Sequence, residues 1–92
     1  MAIGLYFNNE GFTLDKYNEA IKKLEAAGAA APKGRMYHVA FGPKEQVQVF
    51  DIWEDQATFE KFGETLLPIL GALGVTIADP MSEPVHNIIV GK

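Results

Sequence analysis

Ninety-two residues make room for one compact domain and leave no length for a second. The balance of eight Lys and Arg against twelve Asp and Glu, a net −4, argues against nucleic acid and anionic membrane as partners, since both need clustered cations. With no cysteine, disulfides, Cys-ligated metals and a thiol nucleophile are excluded. No apolar run approaches the roughly 20 residues that span a bilayer, and the N-terminus Met-Ala-Ile-Gly-Leu-Tyr-Phe lacks the basic region of a signal peptide. A cytoplasmic protein is expected.

Residues 2 to 7 form a short apolar run bounded by the turn formers Asn8-Asn9-Glu10-Gly11, which predicts a strand and a loop. Thr13 stands at an N-cap position with Asp15 in the first turn. Leu14, Tyr17, Ile21 and Leu24 then line one helix face, and Gly28 is a stop signal. Residues 35 to 41 and 46 to 53 read as two strands joined by the turn Gly42-Pro43-Lys44-Glu45. Asp55 caps a second helix whose stripe is Phe59, Phe62, Leu66 and Leu70; Pro68 predicts a kink or restart near Leu67, and Gly74 the end. Residues 75 to 84 read as irregular, with an extended piece at Val75 to Ala78, and residues 85 to 90 as a fourth strand.

The order β-α-β-β-α-β is the split βαβ, or ferredoxin-like, α+β arrangement: a four-stranded antiparallel sheet with two helices on one face. The strands do not alternate apolar with polar residues as a half-solvated sheet would. In the first, Ile3, Leu5 and Phe7 oppose Ala2, Gly4 and Tyr6, and neither set is charged. Two helices cover one face only, so the other would leave an apolar surface larger than soluble monomers usually expose. A second copy of the chain is the simplest cover, and a homodimer through the sheet face is expected.

The segment Val49-Phe-Asp-Ile-Trp-Glu-Asp-Gln-Ala-Thr-Phe-Glu-Lys-Phe62 resembles the dimeric α/β-barrel superfamily, with support from Gly34-Arg-Met-Tyr-His-Val-Ala40 and Val85-His86-Asn87. The resemblance spans essentially the whole chain and includes antibiotic-biosynthesis monooxygenase-like proteins. It implies the same fold and a face-to-face dimer. Across the superfamily the chemistries range from cofactor-free oxygenation to isomerisation and haem degradation, so the fold does not choose among them. In many monooxygenase-type members a histidine stands about where this chain has Phe62, and residues 56 to 73 contain no His, Cys, Met or Tyr to ligate haem iron. No cofactor is expected. The resemblance implies pocket positions for Asn8, at the end of the first strand, and Trp53, at the end of the third.

His38 and Asp51 are the polar residues inside otherwise apolar strands of one hairpin. A loop of residues 43 to 46 sets them directly opposite each other, and a two-residue Pro43-Lys44 turn makes them diagonal neighbours. A shift of one residue from either puts them on opposite faces. Paired, Asp51 would orient the imidazole as a general base; the bland reading is two half-buried groups satisfying each other. Tyr37 is expected as a pocket wall or dimer residue, and His86 as an edge, dimer or ligand contact. His38, His86 and Asp51 would make a two-His, one-carboxylate metal set, but nothing in their spacing argues for it. A phosphate loop and a Ser–His–Asp triad are both missing. Two readings stand: a small enzyme converting an apolar or aromatic metabolite, by cofactor-free oxygenation or isomerisation, and a non-catalytic ligand-binding or accessory dimer.

Overall fold

The computed structural model describes residues 2–91. The elements run β1 (Ile3–Asn8), α1 (Leu14–Ala26), β2 (Arg35–Phe41), β3 (Gln48–Trp53), α2 (Gln56–Ala72) and β4 (Met81–Pro84). Every recorded strand pairing is antiparallel, and the sheet order is β2-β3-β1-β4. This is the expected ferredoxin-like arrangement. Among the described residues no helix is long and apolar enough to cross a membrane.

The two helices start where side-chain acceptors meet orphan N–H groups. Thr13 Oγ1 accepts from the Lys16 N–H at 3.3 Å, and Asp55 Oδ1 accepts from the Thr58 N–H at 2.8 Å. The backbone bond from Thr58, then the bond from its hydroxyl, hold the Asp55 carboxyl below the usual carboxylate range. A lowered folded-state value stabilises the fold above the unfolded-state pKa, and that stability is lost as pH falls through the folded-state value. Asp55→Ala should therefore lower Tm at neutral pH by a margin that vanishes in strong acid. Asp55→Asn, which keeps an acceptor oxygen but cannot ionise, should lose less than Asp55→Ala, with a margin to wild type that also narrows in acid in the same melts.

α2 runs through Pro68 as one continuous helix, so the chain does not restart near Leu67. Both Pro68 and Glu64, whose carbonyl loses its helical donor, lie on the exposed side, where water can take the vacant acceptor. The fourth strand is also displaced. Residues 81 to 84, not the apolar residues 85 to 90, pair with β1, in the register Ile3↔Pro84 to Tyr6↔Met81. Residues 75 to 80 form no strand. Val75 is buried, with its N–H on the Leu70 carbonyl, and the Ala78 N–H reaches the Asn9 side chain.

The helices pack on the face carrying Leu5, Phe7, Val49, Asp51 and Trp53. Leu5 and Trp53 are wholly buried there with Leu24 and Phe62, beside a second cluster of Phe12, Ala20, Val47, Val49, Leu70 and Val75. The other face carries Tyr6, Tyr37, Val39, Phe41 and Phe50. Tyr37, Phe41 and Met81 are 52%, 48% and 64% exposed, which leaves an apolar surface on this side of the chain. At the start of β2, Gly34 has φ +94°, and a Cβ there would lie 2.6 Å from Thr58 on α2. Gly34→Ala adds backbone strain to that overlap and should cost about 2–4 kcal/mol in a denaturation experiment.

Candidate functional site

The β2–β3 hairpin adopts the register Phe41↔Gln48 and His38↔Asp51, so histidine and carboxylate face each other directly on the helix side of the sheet. His38 Nδ1 lies 2.6 Å from Asp51 Oδ1, and Asp51 is buried while the His38 side chain keeps 23% of its surface exposed. The second carboxylate oxygen accepts from Trp53 Nε1–H at 3.2 Å. On the other side of the ring, Tyr17 Oη lies 2.8 Å from His38 Nε2, with the two rings stacked nearly parallel.

The chemistry of the partners sets the direction of these bonds. An ionised carboxylate only accepts, so Nδ1 bears the proton shared with Asp51, and in the neutral form of the imidazole Nε2 offers its lone pair to the Tyr17 hydroxyl. Burial, reinforced by the Asp51 charge and opposed by Arg35, raises the Tyr17 phenol above its ordinary value, so the hydroxyl is protonated at neutral pH. The result is a continuous chain, Tyr17 to His38 to Asp51, with Trp53 holding its far end. Tyr17 comes from the apolar stripe of α1, one turn into the helix. The only sequence signal for it is a polar tip among Leu14, Ile21 and Leu24.

This chain lines a cavity of about 60 Å³ between sheet and helices, where the two core clusters meet. Phe7, Phe12, Ile21, Phe62 and Leu66 supply apolar wall, and Asn9, Tyr17, Arg35, His38 and Asp51 the polar groups. An outer groove of about 270 Å³ lies between α2 and residues 77–80. It shares Phe7, Asn9, Leu66 and Leu70 with the cavity.

The other expected site residues fall elsewhere. Asn8 is exposed on the opposite side of β1 and accepts from Gln46 Nε2–H at 2.7 Å; its buried neighbour Asn9 is the asparagine that lines the cavity. Strand alternation accounts for the difference, since Phe7 faces the helices and Asn8 must face away. Tyr37 and His86 both line a trough of about 600 Å³ on the uncovered sheet face, with Tyr6, Phe50 and Met81. His86 follows β4 instead of lying on a strand, and the sheet separates it from His38 and Asp51, so the three do not form a metal set. Trp53 is fully buried against Phe59 and Phe62 and touches the site only through Asp51. Phe62 lines the cavity at the helix position where the resemblance places a histidine.

No protein-family model matches the chain, and no curated protein sequence does. Among solved structures it is similar to SnoaB, a cofactor-independent oxygenase from Streptomyces nogalater, at 15% identity and TM-score 0.62, covering 96% of this chain and 94% of that one. It is also similar to a candidate antibiotic biosynthesis monooxygenase from Deinococcus radiodurans, at 10% identity and TM-score 0.63, covering 100% and 99%. A third similar structure, the protein YJCS, gives 11% identity and TM-score 0.66, covering 94% and 100%. The chain thus has the ferredoxin-like fold of the antibiotic-biosynthesis monooxygenase-like proteins, the fold that its sequence resemblance implied.

Proposed function

We propose that the chain works as a homodimer through its uncovered sheet face, and that each subunit moves a proton on a small, mostly apolar ligand held between sheet and helices. The observation that carries this reading is the Tyr17–His38–Asp51 chain opening onto an apolar cavity. Convergent polar groups in a concave apolar space are the usual form of a small-molecule site. His38 is the base and Asp51 its orienting partner. Tyr17 occupies the one free lone pair of the neutral imidazole, so a proton leaving the ligand passes to the phenol oxygen as the phenol proton moves to Nε2. The ligand anion so formed then takes up dioxygen, or is reprotonated at another atom in an isomerisation. The likeness to a cofactor-independent oxygenase supports the first outcome.

A cavity of this size suits a ligand of a few heavy atoms, since one water needs roughly 10–15 Å³. An aromatic metabolite requires Phe7 and Leu66 to swing aside and join cavity and groove, which together reach the lower end of ordinary ligand pockets. The alternative reading, a non-catalytic binding or accessory dimer, has one observation of its own. Among the described residues no buried side-chain nitrogen or oxygen lacks a partner, so the chain is already satisfied as a structural network.

Native mass spectrometry of the protein as purified from cells reports subunit count and any retained molecule. With that molecule as substrate, His38→Gln should slow turnover about 10²–10⁴-fold while binding persists. Unchanged turnover in that variant would remove His38 as the base and leave the binding reading.

A further inference from the structure

We infer that the ligand of this cavity carries an anionic oxygen, as in a small carboxylic acid, and that Arg35 is the residue that holds it. The inference rests on the cavity being the ligand site, as proposed above, but not on proton transfer within it.

The backbone itself aims this residue. Between Arg35 and Tyr37 the β2–β3 ladder slips: Tyr37 pairs with Ile52 and Arg35 with Trp53, two steps on one strand against one on the other. Met36 is the extra residue and is 57% exposed. In unbroken alternation Arg35 would share a face with Tyr37, the uncovered one. The bulge turns it to the helix side beside His38, and re-aiming a side chain is a recognised effect of such bulges.

Arg35 is the sole arginine in an acidic chain. Among the described residues no carboxylate pairs with it: Asp51, the acid of the cavity, is taken by His38 and Trp53. One guanidinium N–H donates to the Ala30 carbonyl at 3.1 Å, and the group lies 6.0 Å from the centre of the Phe62 ring, itself a cavity wall. The other donors of the five-donor fork bond no protein group among the described residues and reach solvent at the edge of the apolar space, open to a ligand. A planar carboxylate is the ligand chemistry that fork fits best. Its charge is felt within the site, since Arg35 opposes the upward push on the Tyr17 phenol.

The test uses pairs of matched shape that differ in charge: butyrate against butyramide for the cavity as it stands, benzoate against benzamide for the widened one. Binding is followed by NMR through the single arginine Nε–H signal and the single indole N–H signal. In the wild type the acid of at least one pair should bind about tenfold more tightly than its amide and shift the arginine signal. Arg35→Met should abolish that preference, and Arg35→Lys should keep part of it. Equal binding of acid and amide in the wild type, including none by either, overturns the inference, as does an acid preference that survives in Arg35→Met. Should Arg35→Met fail to fold, the wild-type comparison and Arg35→Lys still decide. In His38→Gln the acid preference should persist. An unaffected turnover in His38→Gln therefore marks failure of the proton-transfer reading, and a missing acid preference marks failure of this one.

Discussion

Replacing Asp51 with alanine should destabilise the protein by about 3 kcal/mol, lowering Tm by on the order of 10–20 °C. The carboxylate is buried and accepts from two donors, His38 Nδ1–H and Trp53 Nε1–H, and alanine removes the acceptor of both, the indole N–H being fully buried. Asp51→Asn separates stability from chemistry. Its amide offers one oxygen to two donors, and the imidazole can relieve the conflict by moving its proton to Nε2. Tyr17 would then accept instead of donate, and the route from ligand to imidazole would run backwards. We expect the Asp51→Asn variant to lose less stability than Asp51→Ala and still to lose turnover on any identified substrate, with ligand affinity retained. Calorimetry and a single-turnover assay read the two effects independently. A melt of Asp51→Ala indistinguishable from wild type would show that the hydrogen-bonded chain is not formed.

Changing Phe50 to lysine should dissociate the proposed dimer. Phe50 sits centrally on the uncovered face, paired in register with Tyr6 on β1 and Val39 on β2, its ring 3.2 Å from where a Cβ on Gly4 would be. An ammonium there would be desolvated against the apolar side chains that a partner sheet brings to this face, a cost of several kcal/mol, or roughly 100-fold or more in dissociation constant. Sedimentation should show a monomer at concentrations where the wild type is a dimer. An unchanged dimer mass would mean that this face is not the interface and that residues 85–91, which line the same trough, are its cover.

Part of this site is legible in the amino-acid sequence because hairpin pairing is a matter of parity. His38 and Asp51 stand 13 positions apart, and both short loops weighed from the sequence that keep them on one face bring them within reach; the structure adopts the one that sets them directly opposite. The two helices are equally readable, since their caps and apolar stripes are local features, Thr13 and Asp55 among them. The fold class follows from element order and is the one found.

What the tertiary structure decided are the long-range choices. Residues 85 to 90 have the better strand composition, yet Met81–Pro84 takes the place beside β1, because edge pairing depends on where the chain arrives after α2 and less on local preference. The bulge at Met36 reverses the face of Arg35, and strand direction puts Asn9 instead of Asn8 at the cavity. Tyr17 meets His38 only because α1 packs on the helix side of the sheet, where the side chain reaches across to a residue 21 positions away in the chain. Periodicity specifies which side of an element is apolar; packing between elements determines which polar tips meet inside.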